Sequence, residues 1–147
     1  MARADKTNVA ESPTPKSAAK APPQPITAMS VIAPALGWLI PGAGHLIQKR
    51  WGRGLLLMLS VVVMFVLGVL MQGKVYAFNT GDILDILGFV GDLGAGGLYI
   101  VARIQGYGAG AIDLATADYG TKYIIVSGLL NIISAVDAHD IAIGKKK

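Results

Sequence analysis

Residues 38–71 read WLIPGAGHLIQKRWGRGLLLMLSVVVMFVLGVLM, and this stretch decides the fold. Its second half, residues 54–71, carries no charged side chain and is almost wholly apolar. At about 1.5 Å per residue, a helix of this length measures roughly 27 Å, which is close to the hydrocarbon thickness of a bilayer. The sequence therefore predicts a membrane-spanning helix at this position.

Two features precede this helix in the same stretch. The first is a basic and aromatic collar of the kind that lies among lipid headgroups. It consists of Lys49, Arg50, Trp51 and Arg53. The second is a helix break at Pro41, Gly42 and Gly44, because proline removes a backbone donor and glycine frees the backbone. A broken apolar run, a collar and a full span together indicate a membrane protein.

The hydrophobic pattern outside this stretch extends the prediction to four helical segments. Hydrophobic residues make up 53% of the chain, which is too apolar for an ordinary soluble domain. We expect an all-α integral membrane protein, a compact bundle with its first segment broken at Pro41. That segment is either a broken span or a re-entrant helix, and we favour the span. The predicted segments are 28–47, 54–72, 82–103 and 121–143.

These segments divide the chain into three parts. Residues 1–26 are rich in Ala, Pro, Lys, Ser and Thr, so they predict a disordered tail that contributes nothing to insertion or folding. Residues 27–144 form the predicted transmembrane domain, and residues 145–147 form a basic C-terminal end. With four spans, eight of the thirteen lysines and arginines lie on the side of the N-terminus. Because basic residues stay in the cytoplasm, we expect both termini there, in a multi-pass protein of the cell membrane.

Polar side chains recur at helical spacing on the third and fourth segments. A carboxylate near the bilayer centre costs about 2.5–3.5 kcal/mol, so these side chains should face protein and form a helix-packing polar stripe. Asp92 then has two candidate roles, a hydrogen bond to Asn131 or Ser127, or ion handling. The stripe consists of Asp85, Asp92, Ser127, Asn131 and Ser134.

Several function classes find no support in the sequence. The chain has no cysteine, which excludes disulfides, thiolate metal sites and cysteine nucleophiles. Neither His45 nor His139 has a strong metal-ligand spacing, and no catalytic constellation can be drawn. The G-x-G-x-x-A match at residues 106–111 lacks the βαβ context of a nucleotide site. We therefore expect no enzyme activity, no cofactor and no nucleic-acid partner.

The loop between the first two segments resembles a known family. Gly42-Ala43-Gly44-His45 and Trp51-Gly52-Arg53-Gly54, each between apolar helices, resemble the two-transmembrane-helix domain over residues 29–71. The overall layout is similar to small uncharacterised multi-pass proteins of the bacterial inner membrane. These resemblances imply a location and an architecture, and no activity.

Three functional hypotheses remain. The first is a non-enzymatic structural or accessory subunit that binds a membrane partner, a second copy of itself or anionic lipid headgroups. The alternative is an ion- or proton-conducting subunit that uses Asp92 and Asp85. A weaker alternative is a pigment- or haem-associated subunit that uses His45.

Overall fold

The computed structural model describes residues 27–78, 81–111 and 114–145. Within these ranges the regular secondary structure is helical, apart from one isolated antiparallel bridge between Lys74 and Ala109. This confirms the all-helical class. The predicted tail at residues 1–26 and the last two lysines lie outside the described residues. The helices are α1 (Ala28–Leu39), α2 (Ala43–Ile47), α3 (Trp51–Leu70), α4 (Ile83–Leu93), α5 (Gly97–Ile104) and α6 (Ala115–Ala142).

Two helices are long and apolar enough to cross a membrane. They are α3, with 20 residues, and α6, with 28. The helices are antiparallel, because Arg53 at the start of α3 faces Asp137 near the end of α6, while Gly68 near the end of α3 packs on Gly120. We call the end with Arg53 and Asp137 the collar end, and the end with the Lys74–Ala109 bridge the bridge end.

The first predicted segment folds as a hairpin that begins and ends at the collar end. At its start, the carbonyl oxygen of Ser30 lies 2.7 Å from Nδ1 of His139, near the end of α6. At the tip of α1, the Trp38 carbonyl reaches Asn131, about halfway along α6. The chain then turns at Pro41, and α2 brings His45 back to Asp137. At 12 residues α1 is too short to span, so a crossing of this segment is not confirmed.

The third predicted segment is not one continuous helix. It breaks between α4 and α5, whose axes differ in direction by 111°. The start of α4 and the end of α5 also lie at the same end of the molecule. Lys74 Nζ lies 3.5 Å from Oδ1 of Asp85, in the first turn of α4. The next residue, Val75, donates its N–H to the carbonyl oxygen of Gly108, just after α5. The cause of the break is local, because Gly96 adopts a left-handed φ of 60° that does not continue a helix.

The four predicted spans are therefore not confirmed. Two helices could cross a membrane, or three if the bent pair is counted as one crossing. The four-span arrangement also placed the connections after the second and third segments on opposite sides, whereas Lys74 and Ala109 pair directly. The start of α1 and the end of α6 lie at the same end, as that arrangement expected.

Glycines make the closest contacts between helices, and many large apolar side chains lie on the outside. Gly91 and Gly128 touch backbone to backbone, as do Gly68 and Gly120. In contrast, Leu56 and Leu70 on α3 are 65% and 70% exposed. Close backbone approach inside and apolar side chains outside are typical of helices packed within lipid. The structure is therefore compatible with a membrane location.

Candidate functional site

The tips of the two hairpins meet at one buried side chain, Asn131. Its Nδ2 donates to the carbonyl oxygens of Trp38 and Gly94, each at 2.9 Å. Trp38 lies at the tip of the α1–α2 hairpin, and Gly94 at the tip of the α4–α5 hairpin. Both carbonyls belong to helix ends, where the backbone has no intrahelical donor. One amide therefore satisfies two helix ends that approach it from opposite ends of the molecule.

The tips also contact each other directly. Trp38 donates its indole N–H to the carbonyl oxygen of Leu93 at 3.0 Å. A Cβ atom added at Gly96 would collide with the Trp38 carbonyl oxygen, and one added at Gly97 would collide with that of Leu39. Only glycine permits this approach. We call the contact of Trp38, Leu39, Gly94, Gly96 and Asn131 the hairpin junction.

Asp92 lies near this junction but has a different partner from the one expected. Its Oδ2 accepts the backbone N–H of Tyr76 at 2.7 Å, and Tyr99 donates its hydroxyl to the carbonyl of Tyr76 at 3.2 Å. The expected bond to Asn131 or Ser127 is not made. Asp92 is fully buried, and its Oδ1 has no hydrogen-bond partner. Asp92 and Tyr99 together hold the chain segment around Tyr76 inside the α4–α5 hairpin.

The other residues of the predicted polar stripe have separate environments. Asp85 pairs with Lys74 at the bridge end and is partly exposed. Ser127 is buried and donates to the carbonyl of Ile124 at 2.7 Å. The buried Ser134 Oγ and Asn131 Oδ1 have no partner. The stripe thus faces the protein interior along α6, but its members do not form one hydrogen-bonded network.

A second polar cluster fastens the α1–α2 hairpin at the collar end. His45 is fully buried, and its Nε2 lies 3.1 Å from Oδ2 of Asp137. The same carboxylate oxygen lies 3.9 Å from Arg53. Gln48 donates from Nε2 to the carbonyls of Gly44 and Ala138, both at 2.9 Å. This cluster joins α2 to both long helices.

The predicted collar and helix break lie next to this cluster. Lys49 and Trp51 are exposed and Arg50 is partly buried, and none of the three has an ion pair among the described residues. Pro41, Gly42 and Gly44 are buried. Gly42 has a φ of 79°, and a Cβ atom added there would strike the carbonyl of Gly54. The break is thus the turn by which the α1–α2 hairpin packs against α3.

Sequence reasoning missed the partners that complete these sites. The missed groups are the Trp38 and Gly94 carbonyls, the Tyr76 backbone, Tyr99 and Gln48. Most act through backbone atoms, which no residue pattern reveals. Gln48 carried a weak signal, since an amide follows the short apolar run of α2.

The described residues contain no group of three or more His, Cys, Asp or Glu side chains that could hold a metal ion. The chemistry available at the junction is hydrogen bonding to backbone carbonyls and a single buried carboxylate. At the collar end it is a histidine–aspartate pair beside exposed cations.

Comparison with known proteins gives one match. Residues 32–147 match the model of a family of unknown function, DUF6677. The chain belongs to this family. The DUF6677 region contains all six helices except the first turn of α1. The matching model is not that of the two-transmembrane-helix domain, so that likeness remains a resemblance. No curated protein and no solved structure matches the chain.

Proposed function

We propose that this chain is a non-enzymatic accessory protein of the cell membrane that crosses the bilayer twice and binds anionic lipid at its collar end. In this arrangement α3 and α6 are the spans. The α1–α2 and α4–α5 hairpins are re-entrant, enter from opposite faces and meet at Asn131. Non-helical backbone at membrane depth is tolerated where it is buried in protein, as it is at the hairpin junction.

The distribution of charge is the observation that carries this proposal. With two spans, ten of the thirteen lysines and arginines belong to the collar side and three to the bridge side. This bias is stronger than the one that four spans give, and it favours a cytoplasmic collar end with both termini inside. The bridge-side residues are Lys74, Arg103 and Lys122. The collar-side residues are Arg3, Lys6, Lys16, Lys20, Lys49, Arg50, Arg53, Lys145, Lys146 and Lys147.

The collar supplies the lipid contact. Lys49 and Arg50 have no carboxylate partner among the described residues, and they stand where α3 enters the predicted bilayer. A basic residue near an anionic leaflet gains about 1 kcal/mol from the surface potential. Trp51, 64% exposed beside them, suits the headgroup level. Unpaired cations at this depth favour an anionic headgroup.

Single-cysteine labelling tests the crossing pattern, because the chain has no native cysteine. Cysteines replacing Lys74 and Ala109 should react with an impermeant maleimide from the periplasmic side. Cysteines replacing Thr27 and Lys145 should react only after the membrane is opened. Labelling of the Lys74 and Ala109 positions from opposite sides would restore the four-span arrangement and overturn the proposal.

Lipid binding is tested by native mass spectrometry of the full chain purified with equal phosphatidylglycerol and phosphatidylcholine. The double variant Lys49→Gln/Arg50→Gln should retain several-fold less phosphatidylglycerol than the parent. Arg103→Gln, which removes an exposed cation at the opposite end, is the matched control and should retain as much as the parent. Equal losses in both variants would mean that the collar is not a lipid site.

Ion or proton conduction remains the second candidate, and the burial of Asp92 favours it. This carboxyl is fully buried beside a helix break, with one oxygen unpartnered. Asp85 adds little support for conduction, since it pairs with Lys74 at the bridge end. In proteoliposomes, conduction predicts proton flux that both Asp92→Asn and Asp92→Leu abolish. The absence of flux in the parent chain would remove this candidate.

The pigment or haem hypothesis gains no support from the geometry. Axial ligation needs an imidazole nitrogen that faces open space. His45 is fully buried, so neither ring nitrogen faces open space: Nε2 faces Asp137, and Nδ1 is enclosed without a hydrogen-bond partner.

A further inference from the structure

A groove of about 720 Å³ opens at the bridge end between α4 and α6. One wall is apolar and comes from α4, where Leu84 and Leu87 are 69% and 67% exposed. The other wall is the first part of α6. Residues 109–111, Lys74 and Tyr76 complete the lining.

Two opposite charges line this groove without pairing with each other. Asp118 and Lys122 are one helical turn apart on α6, the spacing at which such side chains usually meet. Lys122 instead holds its Nζ 5.2 Å from the centre of the Tyr119 ring. Neither side chain has an ion pair or hydrogen bond among the described residues. Lys74, the other lysine of the groove, forms an ion pair with Asp85.

The groove lies where a membrane lipid would meet it. The apolar wall of α4 belongs to the surface that faces the bilayer when α3 and α6 are the spans. The charged residues lie near the start of α6, at the level of the Lys74–Ala109 bridge, where headgroups would be. A ligand in this groove therefore meets water-facing charge at one end and apolar side chains along its length.

We propose that this groove binds a zwitterionic phospholipid with a primary ammonium group, of the phosphatidylethanolamine type. The phosphate pairs with Lys122, the ammonium donates to Asp118, and an acyl chain lies against Leu84 and Leu87. A purely anionic headgroup would leave Asp118 without a partner and would be repelled by it. A quaternary ammonium fits less well, because it has no N–H to donate to the carboxylate. The proposal rests on the two-span insertion above and is independent of lipid binding at the collar.

The test is lipid retention by the full chain in detergent with equal amounts of phosphatidylethanolamine, phosphatidylcholine and phosphatidylglycerol. Native mass spectrometry should show the parent retaining one phosphatidylethanolamine in preference to phosphatidylcholine, in addition to any phosphatidylglycerol bound at the collar. Lys122→Gln should lower retention of this lipid about threefold, the equivalent of about 0.7 kcal/mol for an exposed charge pair. Asp118→Asn should shift the preference from phosphatidylethanolamine towards phosphatidylglycerol by a similar factor.

Two controls keep the outcome interpretable. Arg103→Gln removes an exposed cation that does not line the groove and should leave phosphatidylethanolamine retention unchanged, and cysteine labelling reports separately whether the insertion is correct. Asp113 lies outside the described residues and next to the groove in sequence. A headgroup shift caused by Asp113→Asn and not by Asp118→Asn would overturn the assignment. So would a parent that retains no phosphatidylethanolamine, or no more of it than of phosphatidylcholine.

Discussion

The two hairpins reach the same junction by different means. The α1–α2 hairpin turns at Pro41 and Gly42 and is fastened by side chains, namely His45 on Asp137 and Gln48 on two carbonyls. The α4–α5 hairpin turns at glycines. The chain segment around Tyr76 lies between its two helices and is hydrogen-bonded to Asp92 and Tyr99. The first hairpin is therefore held on α6 and α3 mainly by side-chain hydrogen bonds, and the second on α6 mainly by close backbone contact, such as Gly91 on Gly128.

This difference explains why one break was visible in the sequence and the other was not. Pro41 is followed directly by Gly42, and this pair is a clear interruption of an apolar run, whereas Pro34 alone lies inside α1 without ending it. Glycines inside an apolar run also serve as contact points for neighbouring helices, so their presence does not by itself reveal a turn. Gly91 and Gly94 do make such contacts, while Gly96 makes the turn.

The largest expected loss of stability comes from Gly96→Ala, which changes the tip of the α4–α5 hairpin. The alanine must adopt a left-handed φ and would also strike the Trp38 carbonyl oxygen. Strain and overpacking together should lower the free energy of unfolding by about 3 kcal/mol. The matched control is Gly106→Ala, which has a φ of 72° but open space around it, and should lose only the strain of about 1 kcal/mol. Equal losses in a detergent unfolding titration would show that the tips do not touch.

A smaller loss is expected from Asn131→Leu, which disconnects both hairpins at once. The change leaves the Trp38 and Gly94 carbonyls without their shared donor. Measured intramembrane hydrogen bonds are modest, so two of them correspond to about 1–2 kcal/mol. Ser134→Ala, one turn away, removes a hydroxyl without a partner and should be close to neutral. If the serine variant were the less stable of the two, the junction would lie elsewhere.

The smallest effect is expected from Asp92→Leu, which affects only the α4–α5 hairpin. Losing the bond to the Tyr76 N–H should reduce the free energy of unfolding by about 1 kcal/mol. Asp92→Asn retains a side-chain oxygen that can accept this bond and should remain as stable as the parent. The measurement is the thermal unfolding of the parent, Asp92→Leu and Asp92→Asn. A leucine variant as stable as the parent would mean that Asp92 does not hold this segment.

Some parts of the candidate site could be predicted from the sequence. The break at Pro41, the apolar helix behind it and the burial of Asp92 and Asn131 follow from residue type and helical spacing. The partners could not be predicted, because Asp92 binds a backbone N–H and Asn131 binds two backbone carbonyls. Every residue offers the same backbone groups, so side-chain identity carries no information about which one is used.

The sequence by itself determined the helical class, the helix after Trp51 and the inward-facing polar residues of α6. These properties depend on the local order of apolar and polar side chains. Only the tertiary structure decided that the first and third segments return to the end where they began. An apolar run of 12 to 20 residues looks the same whether it crosses or turns back, because both paths bury the same side chains. The choice lies in long-range backbone contacts, such as Gly96 on Trp38 and Lys74 beside Ala109.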